Sequence, residues 1–204
     1  MSELDRRYAL IWSHEEQFAY RLGQEVIDKP VVSVWMIILP VLLVHHMQRV
    51  TSYKNAVQAF ARGILDPRLK ALDKARQDVE SGESRDCGFE EYFSSLEGVS
   101  AQDRSLADKQ VRVMQILQDH YRKLLRAGRA SYQGLLEEVY PDREQYRGFL
   151  DRLTVAEQEL NRYLTEHVHT TEDSRAVVQR METYCKELHR KELECFFPSP
   201  TGVH

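Results

Sequence analysis

Glycine and proline are scarce in this chain, with nine glycines and six prolines among 204 residues. Both interrupt helices, whereas the abundant Leu, Glu, Arg, Gln and Ala favour them. Alternation of apolar and polar residues over the length of a strand is missing, which argues against a β-sheet. The apolar stripes persist for only a few heptads each. The composition therefore predicts an all-α chain folded as an antiparallel helical bundle, not as one long parallel coiled coil.

Cysteine and net charge are also low. The three cysteines, Cys87, Cys185 and Cys195, are too scattered for a disulfide framework and fit a reducing compartment. A net charge of −4 argues against nucleic acid as the partner. A chain of this length can bury a packed core, so its stability requires neither a disulfide nor a metal.

Catalytic motifs are missing as well. The sequence contains no CxxC pair, no HExxH and no nucleophile elbow, and its glycines are spaced wrongly for a phosphate-binding loop. We therefore predict no catalytic residue, no cofactor and no small-molecule substrate. The chain is expected not to be an enzyme.

Charged side chains are absent from residues 30–48, and the strictly apolar part is VVSVWMIILPVLLV, residues 31–44. This length suits a single membrane span, a re-entrant hairpin bent at Pro40, or a buried core helix. A single span is preferred, because it leaves no backbone group unpaired in lipid. Residues 1–10 lack an apolar core, so the run is not expected to be a cleaved signal peptide. The predicted membrane-contacting residues are Val34, Trp35, Ile37, Ile38, Leu39, Leu42 and Leu43.

The residues that follow this run carry two blocks of opposite charge. Residues 49–76 hold seven basic and two acidic side chains, whereas residues 77–103 hold eight acidic and one basic. An anionic cytoplasmic leaflet attracts a basic block of this kind, so Arg49, Lys54 and Arg62 are predicted to face anionic lipid. A lipid bilayer is the expected partner. We expect a bacterial inner-membrane location with most of the chain cytoplasmic, and a cytoplasmic location is the alternative.

Breaks in the helical stripes divide the chain into segments. Residues 28–30 (DKP) end the first stripe, SGESRDCG at 81–88 is the clearest loop, and Asp66-Pro67 is predicted to open a new short helix. The predicted segments are an amphipathic helix at 1–29, the hydrophobic segment at 30–48, a basic helical segment at 49–81, an acidic loop region at 82–100, a C-terminal helical bundle at 101–197 and a disordered tail at 198–204.

Four side chains near the end of the chain are candidate metal ligands: His167, His169, Cys185 and His189. Cys185 and His189 are four residues apart, the spacing at which helical zinc ligands share a face. Against a metal site, a free cysteine on an apolar helix face behaves as a small hydrophobic residue. Metal binding is therefore kept as an alternative.

Two stretches carry a resemblance to a known family, KPVVSVWMIILPVLLVHHMQRVTSYKNAVQAFARGIL and HYRKLLRAGRASYQGLLEEVY. They resemble an uncharacterised family of bacterial all-helical proteins with a lysine-proline step, an apolar segment and a basic amphipathic continuation. That family has no assigned activity, so no functional residue carries over. The resemblance implies only a bacterial origin and proximity to a membrane.

Together these features favour a membrane-associated helical protein that is not an enzyme. It would act as a scaffold or interaction module by binding a protein partner or a second copy of itself. One alternative is a soluble bundle, monomeric or dimeric, that buries residues 31–44 in its core. The other is a metal-binding protein that uses the C-terminal His and Cys residues.

Overall fold

A computed structural model describes residues 2–27, 40–82, 101–167 and 172–198, and side chains near the start of the second range are described from residue 52 onward. No strand occurs in these ranges, which confirms the predicted all-α class. The helices they contain are α1 (Glu3–Val26), α2 (Pro40–Ser81), α3 (Ala101–Arg126), α4 (Tyr132–Val139), α5 (Arg143–His167) and α6 (Glu172–Phe196).

Helix α1 confirms the amphipathic helix predicted from the first apolar stripe. Ser2 starts it with a capping box: its hydroxyl accepts a hydrogen bond from the Asp5 amide at 3.1 Å, and the Asp5 carboxylate accepts one from the Ser2 amide at 2.9 Å. Buried side chains then recur every three or four residues along one face. The helix ends at Val26, just before the predicted break at 28–30, which lies outside the described ranges.

Helix α2 runs antiparallel to α1. Near the start of α1, the Tyr8 hydroxyl donates to Asp73 Oδ1 at 2.6 Å. Near its end, the Tyr53 hydroxyl donates to the Gln24 carbonyl at 3.4 Å. Residue numbers therefore rise along α1 as they fall along α2, as an antiparallel bundle requires.

The two flanks of the apolar run consequently lie in the same bundle. Glu15, which precedes the run, is 2.8 Å from Arg68, which follows it. A single span would separate these residues by the thickness of a bilayer, so the preferred single-span arrangement is wrong for this fold. Within the described ranges, no helix combines the length and the apolar character needed to cross a membrane. Residues 28–39 lie outside those ranges.

The predicted helix start at Asp66-Pro67 is also wrong, because α2 continues through both residues. Proline has no amide hydrogen, so the bond that residue 67 would donate to the Gly63 carbonyl is missing, at a cost of about 3 kcal/mol. Burial of Ala61 and Leu72 holds the turns on either side. Tertiary packing therefore overrides the local helix-breaking signal.

Helix α2 ends where a loop is predicted. Gly82 has a φ of 69°, a left-handed conformation that glycine adopts without strain and that commonly follows the last turn of a helix. The remainder of the predicted acidic loop region, residues 83–100, lies outside the described part of the chain, as does most of the predicted tail.

One end of the bundle, here called the sealed end, is closed by α4 and a cluster of aromatic side chains. Ser131 caps the start of α4, because its hydroxyl accepts a hydrogen bond from the Gly134 amide at 3.1 Å. The His120 ring stacks on Phe149 at 4.0 Å between centroids, and its Nδ1 lies 2.8 Å from the Tyr140 hydroxyl. The buried side chains of the sealed end are His120, Tyr121, Leu124, Leu135, Leu136, Tyr140, Tyr146 and Phe149.

Candidate functional site

A cavity of about 500 Å³ lies between α2, α3, α5 and α6, toward the other end of the bundle. Phe18 and Leu22 of α1 also line it. Protein interiors are normally close-packed, with few voids larger than a water molecule. A cavity of this size lies instead within the range of small-molecule sites, which occur between the helices of bundles.

The cavity walls are formed by one face of each bordering helix. The main lining residues recur at three-to-four spacing: Ile64, Pro67 and Arg68 on α2; Gln110, Val113, Met114 and Leu117 on α3; Thr154, Glu157, Gln158, Asn161 and Leu164 on α5; and Val178, Met181, Glu182 and Cys185 on α6. Leu153 and Leu193, nearer the sealed end of α5 and α6, are buried, whereas Leu164 and Met181 are only partly buried. The apolar faces of α5 and α6 therefore do not close on each other beside the cavity.

A buried ion network forms one wall. The Arg68 guanidinium lies 2.8 Å from Glu15 Oε2 and 2.8 Å from Glu157 Oε1. It also lies over the Phe18 ring, 4.7 Å from the ring centroid. The Arg68 and Glu15 side chains are 7% and 5% exposed, and the Glu157 side chain is 24% exposed. One guanidinium thus serves two carboxylates, which leaves the network with one excess negative charge.

Burial and pairing act in opposite directions on these ions. Burial alone would raise the pKa of Glu15, but Arg68 and His14 hold that pKa below its ordinary value. Burial would likewise lower the pKa of Arg68, whereas Glu15 and Glu157 keep it above its ordinary value. Each ion is stabilised by its partners, so removing the guanidinium would leave two carboxylates poorly compensated.

Cys185 and His189 lie beside the network in neutral forms. Cys185 Sγ is 3.7 Å from Glu157 Oε2 and 3.8 Å from His189 Nε2. Burial and the nearby Glu157 carboxylate raise the pKa of the Cys185 thiol, and burial lowers the pKa of His189. Because the thiolate is the nucleophilic form of cysteine, this thiol is a weak nucleophile.

A second polar contact joins α5 to α6 across the cavity wall. The buried Asn161 amide donates to Glu182 Oε1 at 3.2 Å. Asn161 is one helical turn from Glu157, so α5 contributes both side chains to the lining. The walls therefore combine a largely apolar surface with a short polar strip, an arrangement that can enclose an apolar body and orient one polar group.

Most of the predicted membrane contacts lie outside the described residues. Val34, Trp35, Ile37, Ile38 and Leu39 fall within 28–39, and the side chains of Leu42, Leu43 and Arg49 fall before residue 52. Lys54 and Arg62, predicted to face anionic lipid, are exposed on α2. Arg68 and Arg76, from the same basic block, instead pair with Glu15 and Asp5 of α1.

The predicted metal ligands are only partly brought together. Cys185 and His189 are adjacent, as their spacing predicts. His167 is exposed at the end of α5, where its Nδ1 lies 3.1 Å from the Tyr163 carbonyl, and His169 lies outside the described ranges. Among the described residues, no three His, Cys, Asp or Glu side chains are close enough together to hold a metal ion. Metal binding stays a prediction.

Sequence reasoning missed the cavity and predicted no small-molecule ligand. The residues that define its polar strip are Glu157, Asn161 and Glu182, with Arg68 at its edge. A usable signal was present, because polar side chains interrupt the apolar stripes of α5 and α6 at these positions. Polar residues on a buried helix face need either a partner within the protein or a ligand.

Comparison of the chain with protein-family models, with curated proteins and with solved structures finds no match. The resemblance to a bacterial family therefore stays a prediction.

Proposed function

We propose that this protein binds one small, mostly apolar molecule in the cavity between α2, α3, α5 and α6. The observation that carries the proposal is an interhelical space of about 500 Å³ whose walls are largely apolar and include a short polar strip. Ligand sites in helical bundles have this size and this composition. The function is storage, transport or sensing of the bound molecule.

The cost of an empty cavity supports the presence of a ligand. Each cubic ångström of residual cavity costs about 24 cal/mol when a core side chain is truncated, so unfilled space is normally selected against. Glu157 and Asn161 also place polar atoms on the lining, where they would orient a bound molecule. A bound molecule would recover apolar contacts with Val113, Met114 and Met181.

Titration with N-phenyl-1-naphthylamine, a neutral dye that fluoresces in apolar surroundings, tests the proposal. We expect fluorescence to saturate at about one dye per chain. The variant Val178→Phe/Met181→Trp fills the cavity from α6 and should lose binding. Val155→Trp is the matched control, because it adds a large ring at a residue that is 49% exposed and outside the lining.

Two results would contradict ligand binding in the cavity. One is a fluorescence rise that never saturates, which indicates non-specific adsorption. The other is equal binding by the filled variant and the wild type, which would move the dye to another apolar surface, with residues 31–44 the first candidate. Circular dichroism of both variants checks that each retains its helices.

We also propose that residues 31–44 attach the bundle to a bilayer from one side. Support comes from the uncharged sequence of 30–48 and from the antiparallel pairing of α1 with α2, which keeps both flanks of the run on the same side. The exposed Lys54 and Arg62 would then meet anionic headgroups. The predicted inner-membrane location and the predicted protein partner also remain proposals.

Flotation with vesicles that contain anionic lipid tests the attachment. The full chain should float with the vesicles, and Ile38→Arg should stay in the dense fraction, because a charge in the acyl region is costly. Val155→Arg is the control, since it places the same charge on an exposed site of α5 and should not change flotation. A wild-type chain that remains in the dense fraction overturns the attachment and favours the soluble-bundle alternative.

A further inference from the structure

We infer that the ligand of this cavity carries a positively charged nitrogen on its apolar body. The inference rests on the proposed ligand binding and specifies the chemical class of the ligand. It follows from the two carboxylates of the polar strip, Glu157 and Glu182, beside which Arg68 is, among the described lining residues, the one cation that is buried.

The buried charges near the cavity do not balance. The single Arg68 guanidinium is divided between Glu15 Oε2 and Glu157 Oε1, each at 2.8 Å. The other Glu157 oxygen, Oε2, has the Cys185 thiol at 3.7 Å, a weak and neutral donor. Glu157 therefore presents negative charge to the lining, and no cation of the network is left to offset it.

Glu182 adds a second carboxylate on the facing helix. Its Oε1 accepts from the Asn161 amide at 3.2 Å, which satisfies one oxygen without neutralising the charge. Two lysines, Lys70 and Lys186, also border the cavity, but both are exposed. An exposed ammonium group is hydrated and screened, so it offsets interior charge only weakly.

One backbone acceptor of α2 also lacks its helical donor. Because Pro67 has no amide hydrogen, the Gly63 carbonyl receives no helical hydrogen bond from residue 67, and both residues border the cavity. The Asn161 amide is engaged with Glu182, and the Arg68 guanidinium is engaged with two carboxylates. A ligand ammonium would supply both the missing charge and N–H donors.

An anionic head group would meet the opposite situation. It would lie beside Glu157 and Glu182 in a space walled by apolar side chains, where repulsion between like charges is weakly screened. A fatty acid is therefore disfavoured, and an alkylamine or an aromatic amine of similar size is favoured. A neutral alcohol falls between the two.

Three ligands that share one tail separate these cases: decylamine, decanol and decanoate, each used below its micelle concentration to displace the neutral dye. We expect decylamine to displace the dye at a concentration about tenfold lower than decanol, and decanoate to be weakest. Glu157→Gln should weaken decylamine about tenfold and leave decanol unchanged. Decanol binding thereby shows that the variant cavity is intact.

Glu159→Gln is the matched control, because Glu159 is a carboxylate on the same helix that pairs with the exposed Arg112 outside the cavity. It should keep the wild-type order of affinities. Glu182→Gln provides an independent variant and should weaken decylamine alone, in case Glu157→Gln disturbs the Arg68 network.

The outcomes separate the inference from the proposal on which it rests. If none of the three compounds displaces the dye, ligand binding in the cavity is wrong, and the inference falls with it. If decanol and decanoate bind as well as decylamine, the cavity binds ligands but the cationic preference is wrong. If decylamine is preferred and neither glutamine variant reduces the preference, the assignment to Glu157 and Glu182 is overturned.

Discussion

The sealed end and the cavity end are built from the same helices but treat their polar groups differently. At the sealed end, one buried polar pair is neutral: His120 Nδ1 lies 2.8 Å from the Tyr140 hydroxyl, and burial lowers the pKa of His120. At the cavity end, Arg68, Glu15 and Glu157 are charged. The His120–Tyr140 pair carries no net charge, whereas the group around Arg68 has one carboxylate in excess.

Packing follows the same division. Large side chains such as Leu124, Leu136 and Tyr146 are almost fully buried at the sealed end. Toward the cavity, Leu164 and Met181 keep partial exposure, because the helices that carry them do not close together. The sealed end therefore contributes most to the stability of the fold. The residues at the cavity end contribute less to stability than they would in a closed core.

Removing the Arg68 guanidinium should have the largest effect. Arg68→Met keeps the aliphatic volume but leaves Glu15 and Glu157 without their cation, so the free energy of unfolding should fall by about 3–5 kcal/mol. Urea denaturation measures this loss. Arg112→Met, which breaks the exposed pair with Glu159, is the control and should cost less than about 1 kcal/mol. Equal losses in the two variants would mean that the buried network contributes no more to stability than an exposed ion pair.

Truncating one apolar side chain at each end should show the difference in packing between the two ends. Leu136→Ala opens a void in the closed core and should lower the free energy of unfolding by about 2–5 kcal/mol. Met181→Ala only widens a cavity that already exists, so it should cost less than about 1 kcal/mol. If both variants lose the same stability, the cavity is closed in solution and the contrast between the ends is wrong.

The buried imidazole at the sealed end should make stability depend on pH. Burial, only partly offset by Glu192, lowers the pKa of His120 to about 3, against an ordinary value of 6.5. Between these values the unfolded chain binds a proton that the folded chain does not. The contribution of this group to the free energy of unfolding should therefore fall by about 1.4 kcal/mol per pH unit as the pH decreases from 6.5 toward 3.

The variant His120→Phe/Tyr140→Phe isolates that contribution. It keeps the ring contacts and removes both polar partners, so urea midpoints measured from pH 7 to pH 4 should fall less steeply than in the wild type. A double variant with an unchanged slope would show that His120 is protonated in the folded state.

The sequence predicts helices well where local signals and packing agree. The apolar stripe of the predicted amphipathic segment at 1–29 matches α1, and the loop predicted at 81–88 begins where α2 ends. The prediction at Pro67 fails, because burial of neighbouring turns outweighs one missing hydrogen bond. Sequence rules of this kind consider one helical turn at a time, whereas α2 is stabilised by packing along its whole length.

The cavity lies beyond such rules for a different reason. Arg68 and Glu157 are 89 residues apart in sequence, so their contact depends on how α2 and α5 are brought together in the bundle. The spacing of Glu157, Asn161 and Glu182 could have marked the polar strip. It could not have indicated whether α5 and α6 close over it, because that depends on the distances between helices.

Adding a single methyl group at two glycines of the α1–α2 pair should give the smallest effect and the finest comparison. Gly63→Ala places a Cβ with no heavy atom within 4 Å, so better helix propensity should raise the free energy of unfolding by about 0.5–1 kcal/mol. At Gly23 the same Cβ would lie 3.1 Å from the Val57 carbonyl oxygen and 3.3 Å from Val57 Cγ1, where α1 and α2 pack closely. Gly23→Ala should therefore lower the free energy of unfolding, because the added methyl group pushes α1 away from α2. Thermal melts of the two variants measure the difference. If Gly23→Ala is stabilising as well, α1 and α2 do not pack closely at Gly23.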